Sequence, residues 1–314
     1  MDRAAERARG DDKIGTTGNG IGPAYGDRVA RVGIRAGDLR DDAVWRKLVE
    51  ARCASLVQAG IACDASAICR ELGEQRSRLL SHVCDTIALL RDLLRDGKRV
   101  LAEGAQGSML DVGLGTYPFV TSSTTVAGGA GAGPGIGPTE IGEVVGVAKA
   151  YATRVGGGPF PSELDGPIGE RLRTIGGEFG VVTGRARRCG WLDLPALRYA
   201  VDVNGIGHLA LTKLDVLDDF DEIGICTDYQ GAGGRSLPFA IDAGAQPVTT
   251  MLPGWNATTT GARAWEDLPS AARSYVSFIE AQIGVPVSYV SVGPERSQIV
   301  VRSSAPAAPA ELRR

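Results

Sequence analysis

Metal-binding residues are scarce in this sequence. Its 314 residues include two histidines, His82 and His208, and six cysteines, Cys53, Cys63, Cys69, Cys84, Cys189 and Cys226, none of them in a Cys-x-x-Cys pair. That pattern excludes the common zinc ligand sets and names no metal ligand. Long apolar runs and a signal-peptide pattern are also missing, so no membrane span or secretion is expected. The thiols then read as free, mostly buried and reduced, in a cytoplasmic protein. Positive charge is not in excess: 34 Lys and Arg stand against 37 Asp and Glu, for a net charge of −3. No global basic field draws the chain to nucleic acid or an anionic membrane, which leaves small phosphate-bearing molecules as the better partners for local basic clusters. None of the five lysines lies in a Gly-x4-Gly-Lys-Ser/Thr loop, so that type of phosphate cradle is not encoded here.

What is present is enough apolar residue, 43 % of the chain, for one large α/β unit with a real core. Residues 1–12 read as a helical fragment, followed by a glycine-rich loop at Gly15–Gly22 and by Arg28, Arg31 and Arg35 at helical spacing. The periodicity predicts helices over 42–58, 76–95 and 266–283. On the second, Leu79, Leu80, Val83, Ile87, Leu90 and Leu94 share a face; on the third, Leu268, Ala272, Tyr275, Val276, Ile279 and Ile283 do. His82 falls on the second and reads as a core histidine; His208, entering a strand, reads as structural. Strands are expected at 99–103, 209–214 and 287–290. The glycine tract 128–137 is expected to be neither helix nor strand, with Pro138 opening a helix through about residue 150. Strands alternating with helices argue for an α/β fold with a mainly parallel sheet flanked by helices. Residues 1–302 read as a single domain, and the Ala/Pro-rich residues 303–314 as a disordered tail.

Five segments carry candidate chemistry. Thr183-Gly-Arg-Ala-Arg-Arg-Cys-Gly-Trp-Leu-Asp193 places Arg185, Arg187 and Arg188 beside a flexible Thr-Gly, which suits the pairwise recognition of carboxylates or phosphates. Thr212-Lys-Leu-Asp215 follows a strand and has the form of a guanine-reading loop, in which a carboxylate accepts from N1–H and the exocyclic amine; adenine offers no such donor pair. Lys13–Tyr25 supplies hydroxyls and backbone amides that glycines bring close to a phosphate. Glu103–Asp111 and Thr116–Ser123 add Gln106 and Thr121 as uncharged donors. Taken alone, a three-arginine loop or a Lys-x-Asp at a strand end is more often an ordinary surface turn, and none of the segments decides the question by itself.

In this order the segments resemble adenylosuccinate synthetase, from about residue 2 to 302, through runs such as Gly15–Leu39, Ala102–Ser123, Ala150–Leu164, Thr183–Asp193, Thr212–Asp218 and Ser291–Arg296. The resemblance implies a fold related to the P-loop NTPases and a GTP-dependent ligation of L-aspartate to IMP that yields adenylosuccinate, GDP and phosphate. It implies that Thr17, Arg31, Gln106, Thr121 and Arg185 bind IMP, with Arg31 reaching across a homodimer. Val181, Val182, Thr183, Gly184, Arg185, Ala186 and Arg187 would form the aspartate loop. Arg187, with Lys213, Leu214 and Asp215 and with Ser291, Val292 and Gly293, would hold GTP.

The family's phosphate loop, its catalytic aspartate and histidine and its Mg2+ contacts fall ahead of the matched region. The sequence is therefore expected to be N-terminally truncated and to need that segment for activity. Val182 stands where threonine is common in the family, Asn19 where arginine is and Leu114 where histidine is, and Ala186 separates the arginines. Two other readings stay open: a non-catalytic nucleotide-binding remnant that partners a full-length synthetase, and a relative acting on an IMP analogue or another amino acid.

Overall fold

The computed structural model describes residues 1–10, 13–180, 184–230 and 245–303. They divide into two compact units: unit 1 comprises Met1–Glu103, Thr121–Ser123 and Ala130–Ile136, and unit 2 comprises Gly104–Val120, Thr124–Gly129 and Gly137 onward.

Unit 1 is helical, with α1 (Asp2–Ala8), α2 (Ile21–Ala30), α3 (Asp42–Gln58), α4 (Ala65–Leu80) and α5 (Thr86–Arg95). On α3, Trp45, Val49 and Cys53 recur every fourth residue and form one buried stripe, packed with Leu39 and Cys69. Side-chain oxygens start the helices: Asp41 accepts from the amides of Ala43 and Val44, Asp64 from Ala67, and Asp85 from Ile87 and Ala88. Each such cap is worth about 1 kcal/mol. Arg52 ties α3 to α2 through a two-point pair with Asp27, at 2.8 and 2.6 Å.

Several expectations fail in unit 1, each for a local reason. The helix predicted over 76–95 is two helices, because Ser81–Asp85 leave the helical path and Asp85 caps a new one. His82 lies in that break and is exposed, so it is not a core histidine. Arg31 and Arg35 do not continue α2: Arg31 takes a left-handed conformation (φ 63°) that closes the helix, with the amides of Val32 and Gly33 returning to the Asp27 carbonyl. Gly22, placed in the glycine loop, lies within α2. Arg99–Glu103 forms no strand among the described residues; Leu101 is 89 % exposed. Of these five residues only Val100 is a strong β former, and the described residues of unit 1 offer no strand for it to pair with.

After α6 (Gly129–Ala132), a short helix inside the glycine tract, Pro138 opens only a 3-10 turn to Glu140. Where the predicted helix should continue there is instead β1 (Val145–Lys149). The parallel ladder to residues 208–212 fixes this segment as a strand, with Gly146 buried and Val145 and Val147 exposed. The elements that follow are β2 (Ala152–Arg154), α7 (Pro167–Ile175), β3 (Arg188–Gly190), β4 (Leu192–Asp193), α8 (Leu194–Asn204), β5 (His208–Thr212), β6 (Glu222–Tyr229), β7 (Pro247–Pro253), α9 (Ser270–Ile283), β8 (Val287–Ser291) and β9 (Ile299–Val301).

The main sheet runs β1-β5-β8-β9, with β1, β5 and β8 parallel and β9 antiparallel. Smaller sheets pair β4, β6 and β7, and β2 with β3. This is the expected α/β class. Strands β5 and β8 and helix α9 match their predicted positions closely, although α9 starts after Pro269 rather than at 266. All six apolar residues named for α9 are buried. They pack in one core with Leu209 and Leu211 of β5 and Val287 and Val290 of β8. Each such side chain contributes about 1.5–3 kcal/mol relative to an exposed one. The six cysteines are free, and Cys84 is the exposed one. The tail residues 304–314 lie outside the described residues.

Candidate functional site

Register brings the carboxyl ends of three parallel strands together. Lys149, the last residue of β1, pairs with Thr212, the last of β5, and Leu211 pairs with Val290, so the loops beginning at Ala150, Lys213 and Val292 leave one edge of the sheet. In open parallel sheets that edge is where ligands are held, because the loops there are not constrained by strand pairing.

At this edge lies Glu178, whose carboxylate is fully buried. Its Oε1 accepts from the Tyr151 hydroxyl at 2.6 Å, Lys149 Nζ at 2.8 Å and Lys213 Nζ at 3.1 Å. Its Oε2 accepts from Lys149 Nζ at 2.8 Å and Arg187 Nη1 at 2.7 Å. Burial pushes the carboxyl upward, but the bonds from Lys149, Tyr151 and Arg187 outweigh it and hold the pKa at about 2. One anion faces three cations. Burial therefore lowers the Lys149 pKa; Glu178 opposes the shift, and Arg187 and Lys213 add to it. The excess positive charge suits an anionic ligand.

Arg187 belongs to a hairpin rooted on the same glutamate. The Arg187 amide donates to the Glu178 carbonyl at 2.9 Å, Phe179 pairs with Ala186, and the Gly180 amide donates to the Arg185 carbonyl at 2.8 Å. Gly184 takes φ 62°, a left-handed turn that glycine adopts without a steric penalty. Arg185 and Ala186 are exposed and Arg187 is half-buried. Val181, Val182 and Thr183 lie outside the described residues.

After β5, Lys213 is itself left-handed (φ 60°), which turns the chain into a 3-10 turn at Leu214–Leu217. Leu214 is buried. Asp215 Oδ1 is buried without a hydrogen-bond partner, and burial, reinforced by nearby Asp218, raises the Asp215 pKa. On the neighbouring strand the Ser291 hydroxyl donates to the Gly293 carbonyl at 2.9 Å and Val292 is buried. A side chain at Gly293 would collide with the Gln298 amide.

A second carboxylate shapes the loop at 111–126. Asp111 Oδ1 accepts from the amides of Gly113 and Leu114, both at 2.9 Å, and Oδ2 from Thr125 and Val126 at 2.7 and 3.3 Å. Burial raises its pKa, yet the four backbone donors leave it lowered. The Leu114 carbonyl in turn accepts from the Tyr199 hydroxyl at 2.6 Å.

A profile of the family described as adenylosuccinate synthetase matches residues 1–300. Relatives carrying that name are 49 % identical in Parafrankia sp. and 52 % identical in Salinibacter ruber. The alignments cover 96 % and 95 % of this chain and 73 % and 70 % of those proteins. The solved structure of fully ligated adenylosuccinate synthetase from Plasmodium falciparum superposes with a TM-score of 0.92 at 35 % identity, covering 96 % of this chain and 74 % of that one. The chain belongs to the adenylosuccinate synthetase family.

This is a family of ligases in purine biosynthesis, and the match runs through both units. Of the residues that the adenylosuccinate synthetase resemblance assigns to IMP, Thr17, Arg31 and Thr121 belong to unit 1 and Gln106 and Arg185 to unit 2. Thr17, Arg31, Gln106 and Arg185 are exposed, and Gln106 stands at φ 63°. Within unit 2 the structure gathers Arg187 and Lys213 on Glu178, and Asp215 on the edge that also carries Ser291–Gly293. Lys149, Tyr151 and Glu178 were not anticipated. The ending of β1 in a lysine, as β5 runs into Lys213, was the available signal.

The family resemblance also brings magnesium. Among the described residues no group of three or more His, Cys, Asp or Glu is arranged to hold a metal ion. The residues described do not fit a resident ion. No helix among them is long and apolar enough to cross a membrane.

Proposed function

We propose that this chain provides the substrate-binding surface for the GTP-dependent ligation of L-aspartate to IMP, giving adenylosuccinate, GDP and phosphate. The observation that carries the proposal is the buried, unpartnered Oδ1 of Asp215 at the carboxyl edge of the parallel strands. A buried acceptor without a donor costs about 1–3 kcal/mol. Guanine would supply the missing donors through N1–H and its exocyclic amine; adenine presents no such pair.

In this reading Ser291, Val292 and Gly293 enclose the base beside Lys213–Asp215. Arg187, charge-paired from beneath by Glu178, presents its outer donors to GTP and to aspartate. Arg185 reaches aspartate and IMP, with Val181–Gly184 and Ala186 completing the aspartate loop. Thr17, Gln106, Thr121 and Arg31 hold IMP, Arg31 from the other protomer of a cytoplasmic homodimer. Phosphorylation of the IMP 6-oxygen and displacement of that phosphate by the aspartate amine also call for a segment with a phosphate loop, proton-transfer residues and Mg2+ contacts, roles that this reading assigns to none of the described residues. Adding such a segment to the chain and assaying aspartate capture with GTP, IMP and Mg2+ tests turnover.

Binding is tested first by calorimetry of the 314-residue chain with GDP and ADP. GDP is expected to bind at least tenfold more tightly, and Asp215→Asn should weaken GDP by about 1–3 kcal/mol while leaving ADP unchanged. Equal affinities for the two nucleotides would refute the guanine assignment.

A further inference from the structure

The three cations on Glu178 come from separate stretches of chain. Lys149 ends β1, Lys213 follows β5, and Arg187 closes the hairpin that begins at Glu178 itself. Lys149 also donates to Thr153 Oγ1 at 2.8 Å, and Lys213 to the Gly176 carbonyl, just before the hairpin root. Tyr151, 1 % exposed, closes the carboxylate from the core side. The three cationic side chains remain 25–35 % exposed over a carboxylate that is fully covered. They are therefore anchored from below while their outer surfaces face solvent.

A carboxylate used only for stability would not need this arrangement. A buried ion pair gains little over an apolar contact, and a single lysine would neutralise it. Here one glutamate fixes the root of an arginine-bearing hairpin against the ends of two parallel strands through both its backbone and its side chain. We infer that Glu178 is a positioning residue, setting where Arg187 and Lys213 stand relative to each other so that the amino-acid loop and the guanine loop are held in one frame. This rests on the proposed assignment of those loops, but its structural half does not depend on any ligand.

The substitution that probes it is Glu178→Gln. An amide keeps the shape but turns one acceptor into a donor facing Lys149 or Arg187, so the root loses its anchor. Hydrogen exchange is measured at the Gly180 and Arg187 amides, with those of α9 as the internal control, in the full chain. Glu178→Gln should speed exchange at the two hairpin amides tenfold or more and leave α9 unchanged. Arg187→Met should do the same, and the double variant should be no faster than the faster single, because both remove one coupling. Unchanged hairpin exchange in Glu178→Gln overturns the inference. If that variant loses protection throughout unit 2, Arg187→Met decides: acceleration confined to the hairpin supports positioning, and none refutes it. GDP calorimetry separates the two levels. A wild-type chain that binds GDP while Glu178→Gln binds it at least tenfold more weakly supports both the site reading and the inference. Equal binding by the two removes the inference alone. A wild-type chain that fails to bind GDP removes the loop assignment and the shared frame built on it.

Discussion

Units 1 and 2 have similar helix signals in sequence but are held by different means. Of the dozen largest fully buried side chains among the described residues, Trp45 alone lies in unit 1, and the rest, from Tyr151 to Tyr275, lie in unit 2. Unit 1 leaves Ile21, Val29 and Leu101 at 51, 81 and 89 % exposure and adds aspartate caps and the Arg52–Asp27 pair to a small cluster around Trp45. Unit 2 buries a continuous core and then places charge on its rim. Helix periodicity therefore reports burial depth poorly, since α5 forms although Ile87 on its predicted stripe is 57 % exposed.

The contrast can be broken most sharply in the core. Leu211→Ala should destabilise unit 2 by about 2–5 kcal/mol, read from the loss of exchange protection in β5, β8 and α9 during denaturant titration. Acid should act next, and selectively. The Glu178 carboxyl is held at about 2 against an ordinary 4.5, so its contribution is complete above the ordinary value and fades as pH falls toward the folded one. Near-ultraviolet circular dichroism of unit 2 is expected to weaken between about pH 4.5 and 2, and Glu178→Gln should flatten that dependence. In unit 1 the sensitive point is a cap. Asp41→Ala should cost about 1 kcal/mol, measured as faster exchange in the first turn of α3. Val29→Ala, at an exposed apolar position, should shift stability by less than about 0.5 kcal/mol; a larger loss would show that this side chain is covered in solution.

The α/β class and the elements that bury their stripes were legible in the sequence. Helix α3 and the five apolar residues of α9 from Ala272 to Ile283 fall where periodicity puts them, because a period of 3.6 is visible within one element. What failed needed information from elsewhere in the chain. Val145–Lys149 became a strand through its ladder to β5, and Arg99–Glu103, expected as a strand, has no such partner among the described residues. His82 was misjudged because the helix breaks one residue before it. The arginine cluster and Lys213–Asp215 could be named from local chemistry. Glu178 could not, because its neighbours in sequence are two glycines and an exposed phenylalanine, while two of its cationic partners lie 29 and 35 residues away.

Asp111 has one more consequence. The chain around Leu114 is held by its amide on Asp111 and its carbonyl on Tyr199, while the leucine side chain is 45 % exposed. Nothing in that hold depends on which side chain is present. Position 114 can therefore exchange histidine for leucine without redrawing the loop, and a change of chemistry there is separable from a change of shape.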